Sequence, residues 1–177
     1  EMCGECYDLN SGETTMCSWN SKQLAYSGAA QKYLVMNDTS GRIELYNEQN
    51  ELLSSMEKKS SMIQNIGFSK DGNYIFIQNL DATLEIYQAS NMTLKKVLSD
   101  IDSPIGRMEA FGNGNWVLYC NEIYGGMGYI CNRNFEIVSR VPKLFAVNSS
   151  GTILYTANKE RPLSSEIFTV RDLMKIQ

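Results

Sequence analysis

Hydrophobic and polar positions along the chain alternate in short runs of four to six residues, broken by turns, and the runs recur about every forty residues. Residues 65–87 carry the clearest version. Ile66 and Phe68 alternate with smaller residues, Asp71-Gly72 supplies a tight turn, and Tyr74-Ile75-Phe76-Ile77 is a continuous apolar run. Gly72 can take the positive φ that such a turn needs. An unbroken run fits a strand covered on both faces, whereas Leu84-Glu85-Ile86-Tyr87 alternates, with Leu84 and Ile86 on one face. Thr93 to Leu98 completes four strands, one small antiparallel sheet.

The echoes keep both order and spacing. Tyr33-Leu34-Val35-Met36 and Ile43-Glu44-Leu45-Tyr46 stand 41 residues before Tyr74-Ile75-Phe76-Ile77 and Leu84-Glu85-Ile86-Tyr87. Gly114 to Leu118 repeats Gly72 to Phe76 after 42 residues, and Gly151 to Tyr155 repeats it after 79. Gly4-Glu5-Cys6-Tyr7 precedes Ile43-Glu44-Leu45-Tyr46 by 39. This alignment makes Leu34, Ile75, Val117 and Leu154 equivalent core positions and Gly72, Gly114 and Gly151 equivalent turns.

Phe68-Ser69-Lys70-Asp71-Gly72-Asn73, then Asp81, then Leu84-Glu85-Ile86-Tyr87, resembles a blade of the WD40-like β-propellers. Lys70 stands where that family has Pro, and Tyr46 and Tyr87 stand in place of its Trp. The chain has no His, so the His-containing network of WD40 blades cannot form. The resemblance implies an all-β, partial or incomplete propeller. Its blades cover 1–20 (a half-blade of third and fourth strands), 21–60, 61–103, 104–144 and 145–177 (incomplete). The turn at 28–32 lacks Asp-Gly and reads as irregular; 48–59 reads as a strand despite its helix formers. Unfinished blades leave edges and apolar faces open, which predicts self-association through the ends.

Composition narrows the chemistry. A net charge of −4 disfavours nucleic acid. No apolar run is long enough for a transmembrane helix, and no basic-then-apolar leader is visible at the N-terminus. Five Cys cannot all pair within the chain, and Cys6, Cys120 and Cys131 fall on strand positions; reduced structural thiols and a cytoplasmic location follow as expectations.

Without His, no Ser/His/Asp or Cys/His mechanism is available. Cys3-Gly4-Glu5-Cys6 lacks a second ligand pair for zinc. Asp71 and Asp81 are accounted for by turns, and Lys58-Lys59 and Lys95-Lys96 by protection of outer strand edges. Gly125-Gly126-Met127-Gly128 lacks a phosphate-loop Lys and reads as a flexible turn. No catalytic, cofactor or metal residue is expected.

The leading expectation is a non-catalytic interaction or scaffold module. It would present the loops between second and third strands to a protein partner or neighbouring domain. Arg42, Tyr124, Met127, Lys159 and Arg161 are the candidate contacts. The alternative is a small-ligand or metal sensor, or an enzyme, with an axial site of Asp, Glu and Asn.

Overall fold

The computed structural model describes residues 3–7, 12–58, 62–112, 114–121, 126–151, 153–157 and 165–169. Every regular element among them is a strand. The first blade-like sheet contains β1 (Cys3–Tyr7), β2 (Thr14–Ser27), β3 (Lys32–Asn37), β4 (Arg42–Asn47) and β5 (Leu52–Glu57). Next come β6 (Ile63–Phe68), β7 (Tyr74–Asn79), β8 (Leu84–Gln88) and β9 (Thr93–Leu98), then β10 (Ile105–Phe111), β11 (Asn115–Cys120), β12 (Met127–Cys131) and β13 (Ile137–Pro142). The last sheet holds β14 (Leu144–Val147), β15 (Ile153–Ala157) and β16 (Ser165–Thr169).

Within each sheet neighbours in sequence pair antiparallel, in the orders β1-β2-β3-β4-β5, β6-β7-β8-β9, β10-β11-β12-β13 and β14-β15-β16. The early half of β2 pairs with β1 and its later half with β3, so one long strand joins the β1 hairpin to the four strands β2–β5. The sets β2–β5, β6–β9 and β10–β13 are propeller blades, four-stranded antiparallel sheets stacked side by side, and the last sheet has three described strands. Residues 48–59 contribute β5 rather than a helix.

The core lies between blades. Leu34, Met36, Ile43 and Leu45 of one sheet pack against Ile66, Ile75, Ile77 and Tyr87 of the next. Phe76, Leu84 and Ile86, on the opposite face of that second sheet, pack against Met108, Trp116, Leu118, Tyr129 and Cys131. Tyr74, Trp116 and Phe135 close one end of this layer, with ring centroids 5.1 Å apart in each pair. Leu34, Ile75 and Val117 are all buried, as expected; the Leu154 side chain lies outside the described set.

Their equivalence needs correction. Tyr33 faces Tyr46 across β3–β4, Ile75 faces Tyr87 across β7–β8, and Trp116 faces Cys131 across β11–β12. Tyr33, Ile75 and Trp116 are therefore one layer, and Leu34, Phe76 and Val117 the other. The apolar runs hid this one-residue slip because both faces of a middle strand are buried.

Two bulges per blade hold the register. Each first strand carries one at the same place, between Ser21 and Gln23, Ile63 and Asn65, Ile105 and Arg107, and Leu144 and Ala146. Each pairing of third with fourth strand in the four-stranded sheets carries another, before Tyr46, Tyr87 and Cys131. The residue after the first bulge latches one blade to the next. Gln23 Nε2 donates to Gln64 O at 3.0 Å, and Asn65 Nδ2 to Ile105 O at 2.6 Å. At the third such position Arg107 instead lies over the Tyr119 ring, 4.0 Å from its centroid, and pairs with Glu109 at 3.2 Å.

Gly72, Gly114 and Gly151 have φ of 73°, 86° and 70°, in keeping with their reading as equivalent turns. The turn at 28–31, read as irregular, follows the same rule, with Gln31 in the left-handed conformation at φ 51°. A side chain there costs about 1 kcal/mol against glycine, offset in part by glycine's freedom in the unfolded chain. Gln31→Gly is expected to stabilise by about 0.5 kcal/mol, measured by urea unfolding. Ile75→Asp, which places a carboxylate in the core, should cost about 3–5 kcal/mol and lower the melting temperature by roughly 10 °C. A change of a degree or less would contradict the packing of Ile75.

Candidate functional site

The loops joining second to third strands share one rim with the connections between blades, because main-chain bonds tie the two sets together. Leu80 N donates to Met62 O and Ile101 N to Ala82 O, both at 2.8 Å. Asn121 N donates to Pro104 O at 2.7 Å, and Lys143 N to Gly126 O at 2.8 Å.

Under this rim two blades repeat a polar cluster. Asn37 ends β3, and its Nδ2 donates to Glu44 Oε2 at 2.8 Å; Tyr46 Oη donates to the same oxygen at 2.7 Å, and Ser40 Oγ to Oε1 at 2.9 Å. One blade on, Asn79 Nδ2 donates to Glu85 Oε1 at 3.1 Å and to Thr83 Oγ1 at 2.9 Å, and Tyr87 Oη donates to Glu85 Oε2. Lys58, arriving from the previous blade, bonds both Glu85 oxygens at 2.6 and 2.5 Å. It thus serves as an ion-pair partner rather than as edge protection.

The spacing explains the geometry. Glu and Tyr two residues apart on a strand point to one face, which aims the phenol at the carboxylate. Tyr129 and Cys131 take these positions in the third blade, so the cluster is not repeated there. Glu5 and Tyr7 hold the same positions on β1 by sequence. Sequence reasoning placed Glu44, Tyr46, Glu85 and Tyr87 in register but missed their joint role; the recurring Glu-x-Tyr was the available signal.

Burial alone would raise the Glu44 carboxyl, but hydrogen bonds from Asn37, Tyr46 and Ser40 and the Arg42 charge outweigh it and hold the group below its ordinary 4.5. Glu85 is likewise lowered: burial opposes, and Lys58, Tyr87 and Asn79 prevail. Tyr87 is pushed up by burial and by the Glu85 charge. Burial raises the Cys131 thiol to about 12, so it stays protonated and unreactive.

Of the sequence candidates, Arg42 opens β4 on this rim, half-buried beside Glu44, its Nε without a hydrogen-bond partner. Met127 is the first residue of β12, half-buried and packed against the interblade core, and Gly128 follows it in the strand. The reading of 125–128 as a flexible turn is corrected for those two residues. An added Cβ on Gly128 would come within 2.5 Å of Leu144, so the neighbouring blade requires glycine there. Tyr124, Lys159 and Arg161 lie outside the described residues.

Asp71 accepts from Ser69 Oγ at 2.6 Å and from Asn73 N at 3.1 Å, and Asp81 accepts from Thr83 N and Oγ1, the turn roles expected of them. Among the described residues no group of three or more Cys, Asp or Glu is placed to hold a metal ion, and no helix is long and apolar enough to cross a membrane.

The fold is that of propeller blades, small antiparallel sheets packed face to face. A chain in the crystal structure of the mitotic checkpoint complex shares it, with a TM-score of 0.57 and 13% sequence identity, over 88% of this chain and 47% of that one. The present chain thus spans about half the length of the solved chain it matches. In all, 785 chains of solved structures match, so the architecture is widely used and does not by itself specify an activity. No family model matches the sequence. No curated protein matches it either.

The lowered glutamates set a pH dependence. Groups whose folded values lie below their unfolded ones stabilise fully above the unfolded value and lose that contribution as pH falls through the folded value. The melting temperature should hold from neutrality to about pH 5 and fall below the ordinary glutamate value. Glu44→Gln should melt lower at neutral pH and fall less steeply on acidification; parallel acid profiles for the two proteins would refute the assignment.

Proposed function

We propose that the chain is a non-catalytic interaction module of the WD40-like family, presenting the rim of second-to-third-strand loops to a protein partner or neighbouring domain. The observation that carries this reading is the state of the buried acids. Glu44 and Glu85, the two glutamates drawn to the rim, are saturated by donors and kept ionised, so they brace the loops and offer no free acid or base. What the rim presents outward is recognition chemistry: exposed Leu80 and Met62, carboxylates at Asp81 and Asp102, and Arg42 at its edge.

The matched chain belongs to an assembly of proteins, which supports a partner of that class. A reducing, cytoplasmic setting belongs to the same reading and is supported by Cys131, a buried thiol packed in the interblade core. Self-association remains part of it too. Leu24 and Tyr26 on β2 are 55% and 58% exposed, whereas Ile66, at the position of Leu24 one blade on, is buried between blades.

A photo-crosslinking residue at Thr39, on the rim, and another at Gln49, on the opposite side of the same blade, separate the outcomes. In native extract Thr39 should give an adduct of one defined mass and Gln49 none. Equal labelling from both sides, or from neither, would sink the proposal.

A further inference from the structure

The rim contains a continuous ridge that the glutamate clusters do not use. It runs from Met62 through Leu80, Asp81 and Ala82 to Ile101 and Asp102. Leu80 N to Met62 O holds the first two residues side by side, and Ile101 N to Ala82 O joins the next loop. Leu80 is 62% exposed and Met62 48%, while Ile101 is buried in the core between the second and third blades.

Asp81 and Asp102 are exposed, and both carboxyls sit below their ordinary range, held there chiefly by the hydroxyls of Thr83 and Tyr129. Lys58 bonds Glu85 and Arg140 lies 3.9 Å from Asp100; their charges reach Asp81 and Asp102 only as minor influences beside the hydroxyls. Ala82 has φ 62°, a conformation a non-glycine residue keeps only where its surroundings fix it. The ridge is therefore preformed: apolar at its crest and negatively charged along its flank.

We propose that this ridge binds a peptide segment of a protein partner in which an apolar side chain is flanked by lysine or arginine. The proposal rests on the interaction-module reading and names the chemistry of its partner. The apolar side chain would cover Leu80 and Met62, and the cations would meet Asp81 and Asp102, so recognition combines burial with charge complementarity. Two exposed apolar side chains make a small anchor, which suits a transient contact rather than an obligate one.

The test uses the whole chain and two fluorescent synthetic peptides, one alternating Leu with Lys and the other Leu with Glu, compared by anisotropy. The Leu–Lys peptide should bind more tightly, and added salt should weaken it. Leu80→Ser should weaken it by about tenfold, as expected for the lost burial of one leucine. Asp81→Asn keeps the acceptor for Thr83 while removing the charge, and should lower both affinity and salt dependence. Leu94→Ser, at an exposed leucine on the β9 edge, should change nothing.

Equal binding of the two peptides, equal loss from Leu94→Ser and Leu80→Ser, or no binding of the Leu–Lys peptide would overturn the proposal. Persistence of the Thr39 crosslink in that event would leave the interaction-module reading standing and remove only this ridge.

Discussion

No sheet in this molecule can bury itself. A single four-stranded blade has two apolar faces and no interior, so each depends on a neighbour to cover it. Leu34 and Met36 need Ile75 and Ile77, and Phe76 and Ile86 need Met108 and Leu118. The bulges, latches and polar clusters all serve that stacking. Amides after the inner bulges join first strands across the gap, and Lys58 spans it to reach Glu85. Stability is shared along the row, and the loops ride on a scaffold whose position is set blade by blade.

The absence of histidine has a structural answer. A propeller blade needs polar groups beneath its rim to tie the end of the second strand to the third. Asn37, Glu44 and Tyr46 do this with an amide, a carboxylate and a phenol, and Asn79, Glu85 and Tyr87 do it again. A buried carboxylate is costly unless donors surround it, and each of these has at least three. In the third blade, where Tyr129 and Cys131 replace the acid and phenol, Tyr129 instead bonds Asp102 across the rim at 2.9 Å.

What was legible in the sequence was whatever has a period. Alternation and turn residues placed the strands, and the repeat of Gly72, Gly114 and Gly151 marked a positive-φ backbone conformation. The slip between Leu34 and Ile75 was not legible, because a strand buried on both faces has no polar residue to mark its register. Bulges were invisible for a related reason: the extra residue can be Lys22, Gln64, Gly106 or Phe145, which share no chemistry. For the candidate site, residue types pointed to long loops, while the structure draws attention to a short one. Leu80 reads in sequence as part of a short loop between second and third strands, where nothing marks a leucine as exposed until the fold places it.

The connection between β11 and β12 is longer than those between β3 and β4 or β7 and β8, yet the register behind it is kept: Trp116 meets Cys131 as Ile75 meets Tyr87, although the ladder ends at Leu118–Tyr129 where its counterpart runs on to Gln78–Leu84. Length is absorbed in the loop and in the last pairs before it. Doubling such a loop costs only about 0.6 kcal/mol of closure entropy, a small fraction of what one buried interblade side chain contributes. Insertions and deletions on this rim are therefore nearly invisible to folding. Descendants of such a chain could exchange one set of contacts for another by lengthening or trimming a turn while every blade behind it stays in register.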